Sequence, residues 1–219
     1  MITIHHLEDS RSQRVLWLLE ELGLPYEVKR YERGPDMRAP KALRDVHPLG
    51  KSPVLTDDSR TVAETGAIVE YILSVHGDGR LMPPDGTDAY WQARHFLHYA
   101  EGSAMPPLLL ALVLGMIPKR APALLKPILA PVMGKVRATV VDPDLDRHLD
   151  HWEGALGQSG WFAGDEMSVA DIMMSFPVEA AATRVDYSQR PALRAFLERI
   201  HARPAFGRAL ERGGPYAYA

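Results

Sequence analysis

The sequence predicts a small α/β domain followed by an all-α domain. Three observations carry this. A strand–helix–strand pattern fills the first segment, a short hairpin and a helix follow it, and beyond a Gly/Pro-rich break the strand signals stop.

Residues 1–7 open the chain with Ile2, Thr3 and Ile4, a short β-forming run. Val15, Leu18, Leu19 and Leu22 then recur at helical spacing, and Gly23 and Pro25 end that helix. Residues 26–31 read as a second strand, so the start is a βαβ unit with parallel pairing. The polar stretch 33–50 has room for a short helix near 39–46. Residues 53–56 and 61–63 flank Asp57-Asp58-Ser59-Arg60 as an antiparallel hairpin. Ile68, Tyr71, Ile72 and Val75 then mark a helix ending at Gly77. The break at Gly77-Asp78-Gly79 and Pro83-Pro84-Asp85-Gly86 divides the chain into domains 1–78 and 87–219. In the second, Ala93/Phe96/Leu97/Ala100, Leu145/Leu149/Trp152/Leu156 and Leu193/Phe196/Leu197/Ile200 each form one helical face.

The stretch 105–135 departs from this regularity, with Pro106, Pro107, Pro118, Pro122, Pro127 and Pro131 among leucines, valines and methionines. Prolines this dense predict short helical pieces packed over an apolar surface. Buried packing or a subunit interface is the commoner use of such a surface, and an amphipathic membrane contact is the alternative.

With 219 residues, the chain can bury roughly 70% of its extended surface. Hydrophobic residues at 46% and charged residues at 24% fit an ordered globular protein rather than a disordered one. A net charge of −3 gives no electrostatic footprint for nucleic acid. There is no cysteine, which excludes disulfides, thiolate–zinc sites and a cysteine nucleophile. The start lacks a signal-peptide pattern, and the longest apolar run, 108–117, is about half the length of a bilayer span, so a cytoplasmic protein is expected.

Three short features bear on chemistry. Ser10 and Ser12 stand at the start of the first helix, where free N–H groups and the helix dipole stabilise an anion such as a thiolate. A capping box of Ser10 with Gln13 is the commoner use of that pattern, and Ser12 is a second possible cap. Lys51-Ser52-Pro53 opens a strand, where a cis proline would present the Ser52 backbone to a peptide-like ligand, or where the proline simply starts an edge strand. Glu64-Thr65 precedes a helix and suits either a cap or the ammonium and carboxylate of a ligand. His95, His98 and Glu101 share a helical face, as do Asp144, His148 and His151. Neither set has a third histidine or a cysteine, and no metal site is expected.

Taken together and in this order, these features resemble the cytosolic glutathione transferase family. The residues are Ser10 with Arg14, the run from His47-Pro48-Leu49-Gly50 through Lys51-Ser52-Pro53-Val54-Leu55, Glu64-Thr65-Gly66-Ala67-Ile68, and a second-half stretch from Trp161 to the capping pair Ser168 and Asp171. The likeness is greatest to the serine-type bacterial and fungal branch. It implies a thioredoxin-like N-terminal domain, an all-helical C-terminal domain and a homodimer active in detoxification. Glutathione would be a cosubstrate and no cofactor would be permanently bound. Ser10 would activate the glutathione thiol. Ser52, through its backbone, and Pro53 would meet the cysteinyl part, Glu64 and Thr65 the γ-glutamyl end, and Lys51 the glycine carboxylate. Tyr99, Ser103 and Met105 would line the site of a small hydrophobic electrophile. The implied activity is conjugation of that electrophile or reduction of organic hydroperoxides. A non-catalytic ligand- or partner-binding protein on the same fold is the alternative. The chain departs from the family pattern in having His47 for asparagine, Ser52 for valine or isoleucine, and Thr65 for serine.

Overall fold

The computed structural model of the chain describes residues 1–36 and 38–218. It begins with β1 (Ile2–Leu7), α1 (Ser12–Leu22), β2 (Tyr26–Tyr31), α2 (Lys41–Val46), β3 (Val54–Asp57), β4 (Arg60–Ala63) and α3 (Thr65–His76). The four strands form one sheet in the order β2-β1-β3-β4. β1 and β2 run parallel, with Ile4 beside Val28, and the other pairs are antiparallel, with Ile4 beside Leu55. This is the thioredoxin-like arrangement. Helix α1 ends as its sequence requires, since Gly23 takes the left-handed conformation that glycine adopts without a Cβ penalty.

The rest of the chain is helical: α4 (Asp88–Tyr99), α5 (Met105–Arg120), α6 (Lys126–Val136), α7 (Asp142–Ser159), α8 (Val169–Ala182), α9 (Pro191–His201) and α10 (Pro204–Gly213). The prolines of 105–135 divide that stretch at Pro122 into α5 and α6, as expected, but do not shorten the helices further, since Pro118 and Pro131 lie inside them. Instead α4 runs into α5, and α6 into α7, each through one widened π turn, Ala100–Ala104 and Arg137–Val141. In those turns the N–H of Met105 reaches back to Ala100 and that of Asp142 to Arg137. Both turns stand immediately before prolines, Pro106-Pro107 and Pro143, which withdraw donors from the α-ladder. Pro122 falls in the connection between α5 and α6, and Pro127 in the first turn of α6.

The continuous helix Asp88–Arg120 is long and apolar enough, by length and composition alone, to cross a membrane. This is a longer apolar element than the run 108–117 suggested. Its first half is nevertheless part of the folded core, where Ala93, Phe96 and Leu97 are buried.

The core centres on α1 and α8. Val15 to Leu19 are all fully buried, and Trp17 meets Phe206 of α10 edge-on at 5.4 Å. α8 is buried over nearly its whole length. It starts with a capping box: the Ser168 hydroxyl accepts from the Ala170 N–H, and the Asp171 carboxylate accepts from the N–H groups of Ser168 and Phe162.

Candidate functional site

The turn between β1 and α1 carries Ser10. The capping box with Gln13 does not form, because Arg11 is the N-cap and the buried Gln13 amide has no hydrogen-bond partner among the described residues. The two serine hydroxyls bond to each other at 2.7 Å, and Ser12 also bonds to Nδ1 of His6 at 2.8 Å. His6, Ser12 and Ser10 therefore form a line of hydrogen bonds ending at the N-terminus of α1. Ser12 is fully buried, whereas Ser10, though buried, retains 7% exposure, so Ser10 is the more accessible end of the line. Burial, reinforced by Arg30, pulls His6 down to about 4, so its ring is neutral at physiological pH.

β-strand alternation sends the neighbouring histidine the other way, and His5 bonds the Tyr31 hydroxyl at 2.9 Å. Sequence reasoning noted that alternation but missed the part His6 takes.

A second group lies just ahead of β3. The Ser52–Pro53 bond is cis, and Pro53 is buried. The Ser52 side chain also has a task that the sequence did not suggest. It donates to the carbonyl of His5 at 2.9 Å and accepts from the N–H of Leu7 at 3.0 Å, tying this loop to the end of β1. Lys51 is exposed, with no ion pair among the described residues. Gly50 has a φ of 57°, and a Cβ there would lie 2.4 Å from the Arg44 side chain. The positive φ favours glycine at that position, and a Cβ would also oblige the Arg44 side chain to move.

Glu64 and Thr65 begin α3, but Thr65 is not its cap. Glu64 holds the N-cap position with a φ of 73°, and no side-chain cap bond is made. A non-glycine residue in that region is uncommon and costs about 1–3 kcal/mol, which is the kind of strain that accumulates at ligand sites. The Glu64 charge reaches Arg11 beside Ser10, where it opposes the lowering of the guanidinium by burial. Thr65 is 4% exposed.

Glu101, weighed in the sequence as a metal ligand, instead forks between two arginines of the first domain. One oxygen takes Arg11 at 2.7 Å and the other takes Arg14. The π turn Ala100–Ala104 carries Glu101, so the widened helix locks the second domain against α1. Arg14 is fully buried and also donates to the carbonyl of Met173 at 2.5 Å.

The residues predicted for an electrophile do not gather here. Tyr99 turns towards α7, where its hydroxyl accepts from Trp152 at 2.9 Å and bonds His148. Met105 is 8% exposed and belongs to the main core, while Ser103 is exposed. The sequence did not flag the C-terminal tail. The N–H of Ala217 donates to Asp9 at 2.8 Å, the Tyr216 hydroxyl donates to buried Glu179 at 2.6 Å, and the Tyr218 ring packs 5.2 Å from Phe176. The tail thus lies against the residue that precedes Ser10. A cavity of about 640 Å³ beside Glu21, Arg80, Met82, Met167 and Arg203 contains none of the predicted site residues.

Comparison with known proteins agrees with this architecture. The glutathione S-transferase N-terminal domain model matches residues 10–74, and the corresponding C-terminal domain model matches residues 137–199. Glutathione S-transferase 3 of Schizosaccharomyces pombe is 33% identical over 215 residues, covering 97% of this chain and 88% of its own. Glutathione S-transferase 1 of Saccharomyces cerevisiae is 31% identical, covering 97% and 95%. A crystal structure of a glutathione S-transferase from Actinobacillus pleuropneumoniae superposes with a TM-score of 0.81 at 32% identity, covering 97% of this chain and 93% of that one. With these matches over both halves, the chain belongs to the glutathione S-transferase family.

Proposed function

We propose that this transferase is of the serine type and conjugates reduced glutathione to small hydrophobic electrophiles, with reduction of organic hydroperoxides as a second activity of the same thiolate. The observation that carries this reading is the hydrogen-bonded line from His6 through Ser12 to Ser10, which terminates at a helix N-terminus.

For Ser10 to donate to sulfur, its oxygen must accept from Ser12, and Ser12 must accept from Nδ1–H of a neutral His6. The depressed His6 pKa keeps that ring neutral. A free thiol has a pKa near 8.5, so only a few per cent is thiolate at neutral pH. One hydroxyl donating to the anion contributes about 1.5–3 kcal/mol, or roughly one to two pKa units. The thiol proton leaves to solvent. The thiolate then forms the C–S bond, and the leaving group departs with the electron pair, or in an addition the adjacent carbon takes a proton from solvent. With a hydroperoxide, two glutathione molecules supply two electrons and two protons, giving the disulfide, an alcohol and water.

In this reading the backbone of Ser52, next to Pro53, meets the cysteinyl part of glutathione. Glu64, with its strained backbone, and Thr65 meet the γ-glutamyl end, and exposed Lys51 meets the glycine carboxylate. The second substrate sits near exposed Ser103, rather than at Tyr99 and Met105, whose side chains are engaged in packing. The enzyme acts in the cytoplasm in detoxification, as a homodimer of chains divided into 1–78 and 87–219.

Turnover of an activated aryl chloride and of an organic hydroperoxide tests the reading. Ser10→Ala is expected to lower kcat/KM by about ten- to a hundredfold. Absence of both activities in the wild type would leave a ligand-binding protein on this fold.

A further inference from the structure

The β1–α1 turn that presents Ser10 is tied down residue by residue. Glu8 accepts from the N–H of Arg33, just past β2, at 2.7 Å, and Ser10 is held by Ser12. Asp9 lies between them in the left-handed conformation, with a φ of 46°. A non-glycine residue stays there only where its surroundings fix it. The Asp9 carboxylate accepts from the N–H of Ala217 at 2.8 Å, and among the described residues no other hydrogen bond reaches that side chain.

Ala217 is carried there by an anchored segment. Gly214 closes α10 with a φ of 88° and a ψ of −158°, a region open essentially to glycine alone, and the chain then turns back across α8. Two residues of α8, one turn apart, receive it. The Tyr216 hydroxyl donates to Glu179 at 2.6 Å, and the Tyr218 ring lies 5.2 Å from Phe176. Glu179 is 2% exposed, and its other oxygen bonds His201 at 3.0 Å. The same two α8 residues face Arg14 of α1, whose guanidinium stands 5.7 Å over the Phe176 ring and is supported by the Glu179 charge. The tail is thus fastened to the surface that also grips α1, and from there it reaches the turn ahead of that helix.

For Ser10 to donate to sulfur while its oxygen accepts from Ser12, the turn must hold one direction closely. We infer that the tail 215–218 is a positioning element for the thiolate site: Tyr216 fixes the tail on α8, and Ala217 holds Asp9 and with it the direction of Ser10. Both act through Asp9, not on the reacting atoms, and the inference rests on the serine-type reading above.

The test compares the wild type with Asp9→Ala, Asp9→Asn and a chain ended after Gly214. Two readouts are taken on each: the midpoint of the bound glutathione thiolate band, and hydrogen exchange of the amides of residues 9–13 without ligand. Asp9→Ala and the shortened chain are expected to raise the thiol midpoint by about one unit and to speed exchange in the turn about tenfold. Turnover of an aryl chloride should fall about tenfold in kcat, with glutathione affinity within about twofold of the wild type. Asparagine keeps an acceptor oxygen and tolerates the left-handed conformation, so Asp9→Asn should restore every readout. Asp9 is exposed, so its variants fold even where the shortened chain does not. A thiol midpoint that Asp9→Ala leaves at a shifted wild-type value overturns the inference, as does exchange that Asp9→Ala does not accelerate. An Asp9→Asn variant that behaves like Asp9→Ala assigns the effect to the carboxylate charge and overturns it too. An unshifted midpoint in the wild type is a different result: it removes the serine-type reading itself, and the role in thiolate positioning with it, whatever the exchange shows.

Discussion

The hydroxyl of Ser12 lies 2.7 Å from that of Ser10 and 2.8 Å from Nδ1 of His6, with no exposure to solvent. Ser12 therefore acts on a bound ligand only through Ser10. Ser12→Ala leaves Ser10 in place but removes the hydrogen bond that polarises it, and it leaves the His6 nitrogen buried without a partner. The expected result is a bound glutathione thiol whose pKa rises by up to about one unit, together with a stability loss of about 1–3 kcal/mol. Thiolate absorbance and urea unfolding measure the two effects separately. An unchanged thiol pKa would remove Ser12 from the account.

His6 supplies a pH dependence of definite sign. Its pKa falls from 6.5 to about 4 on folding, mainly through burial. Between these values the unfolded chain binds more protons than the folded one, so the contribution of His6 to stability is complete above pH 6.5 and is lost as the pH falls towards 4. The loss is about 3 kcal/mol. Buried Asp171, raised to about 6, acts in the opposite direction in overlapping conditions, so the wild-type curve alone does not isolate His6. The difference in unfolding free energy between wild type and His6→Asn isolates it, and should shrink across this window. An NMR titration that protonates His6 near its ordinary pKa would contradict the assignment.

Glu101 holds the first domain to the second through two arginines that differ in burial. Arg14 is 1% exposed at its side chain and Arg11 is 37% exposed. Glu101→Gln strands the buried guanidinium and should cost about 3 kcal/mol in chemical denaturation. Arg11→Ala removes the exposed partner only and should cost under about 1 kcal/mol. Equal losses would mean that the fork does not distinguish its two partners.

The capping box of α8 gives a graded pair of variants. Ser168→Ala loses one cap bond and should cost about 1 kcal/mol. Asp171→Ala leaves the buried N–H groups of both Ser168 and Phe162 without acceptors, and should cost about 3 kcal/mol. Thermal unfolding at fixed pH ranks the two, and a smaller effect for Asp171 would contradict the geometry.

Much of the fold was legible in the sequence because the signals were local. The period of Val15, Leu18, Leu19 and Leu22, the Gly23 cap, the turn at Asp57–Arg60 and the Ser168–Asp171 box each depend on neighbours a few residues away. Dense prolines in 105–135 predicted shorter pieces than form, since Pro106, Pro107 and Pro127 fall in first turns, where no α-ladder donor is lost, and Pro118 and Pro131 are accommodated inside α5 and α6. In the site, local rules predicted caps at Ser10 and Thr65 that the chain does not make. What the sequence could not show were contacts set by the tertiary fold: His6 with Ser12 across the turn between β1 and α1, and, over long separations, Ser52 with β1, Glu101 with Arg11 and Arg14, and the tail with Asp9. No spacing rule connects such positions. The only forward signal was strand alternation, which put His5 and His6 on opposite faces.

Stabilisation of the glutathione thiolate by Ser10 is tested most directly by an ultraviolet pH titration of bound glutathione, which requires no choice of electrophile. For the wild type, the thiolate band should appear with a midpoint roughly one to two units below the free value near 8.5. In Ser10→Ala the midpoint should return most of the way to it. An unshifted midpoint in the wild type, or a shift that survives in Ser10→Ala, would contradict the account.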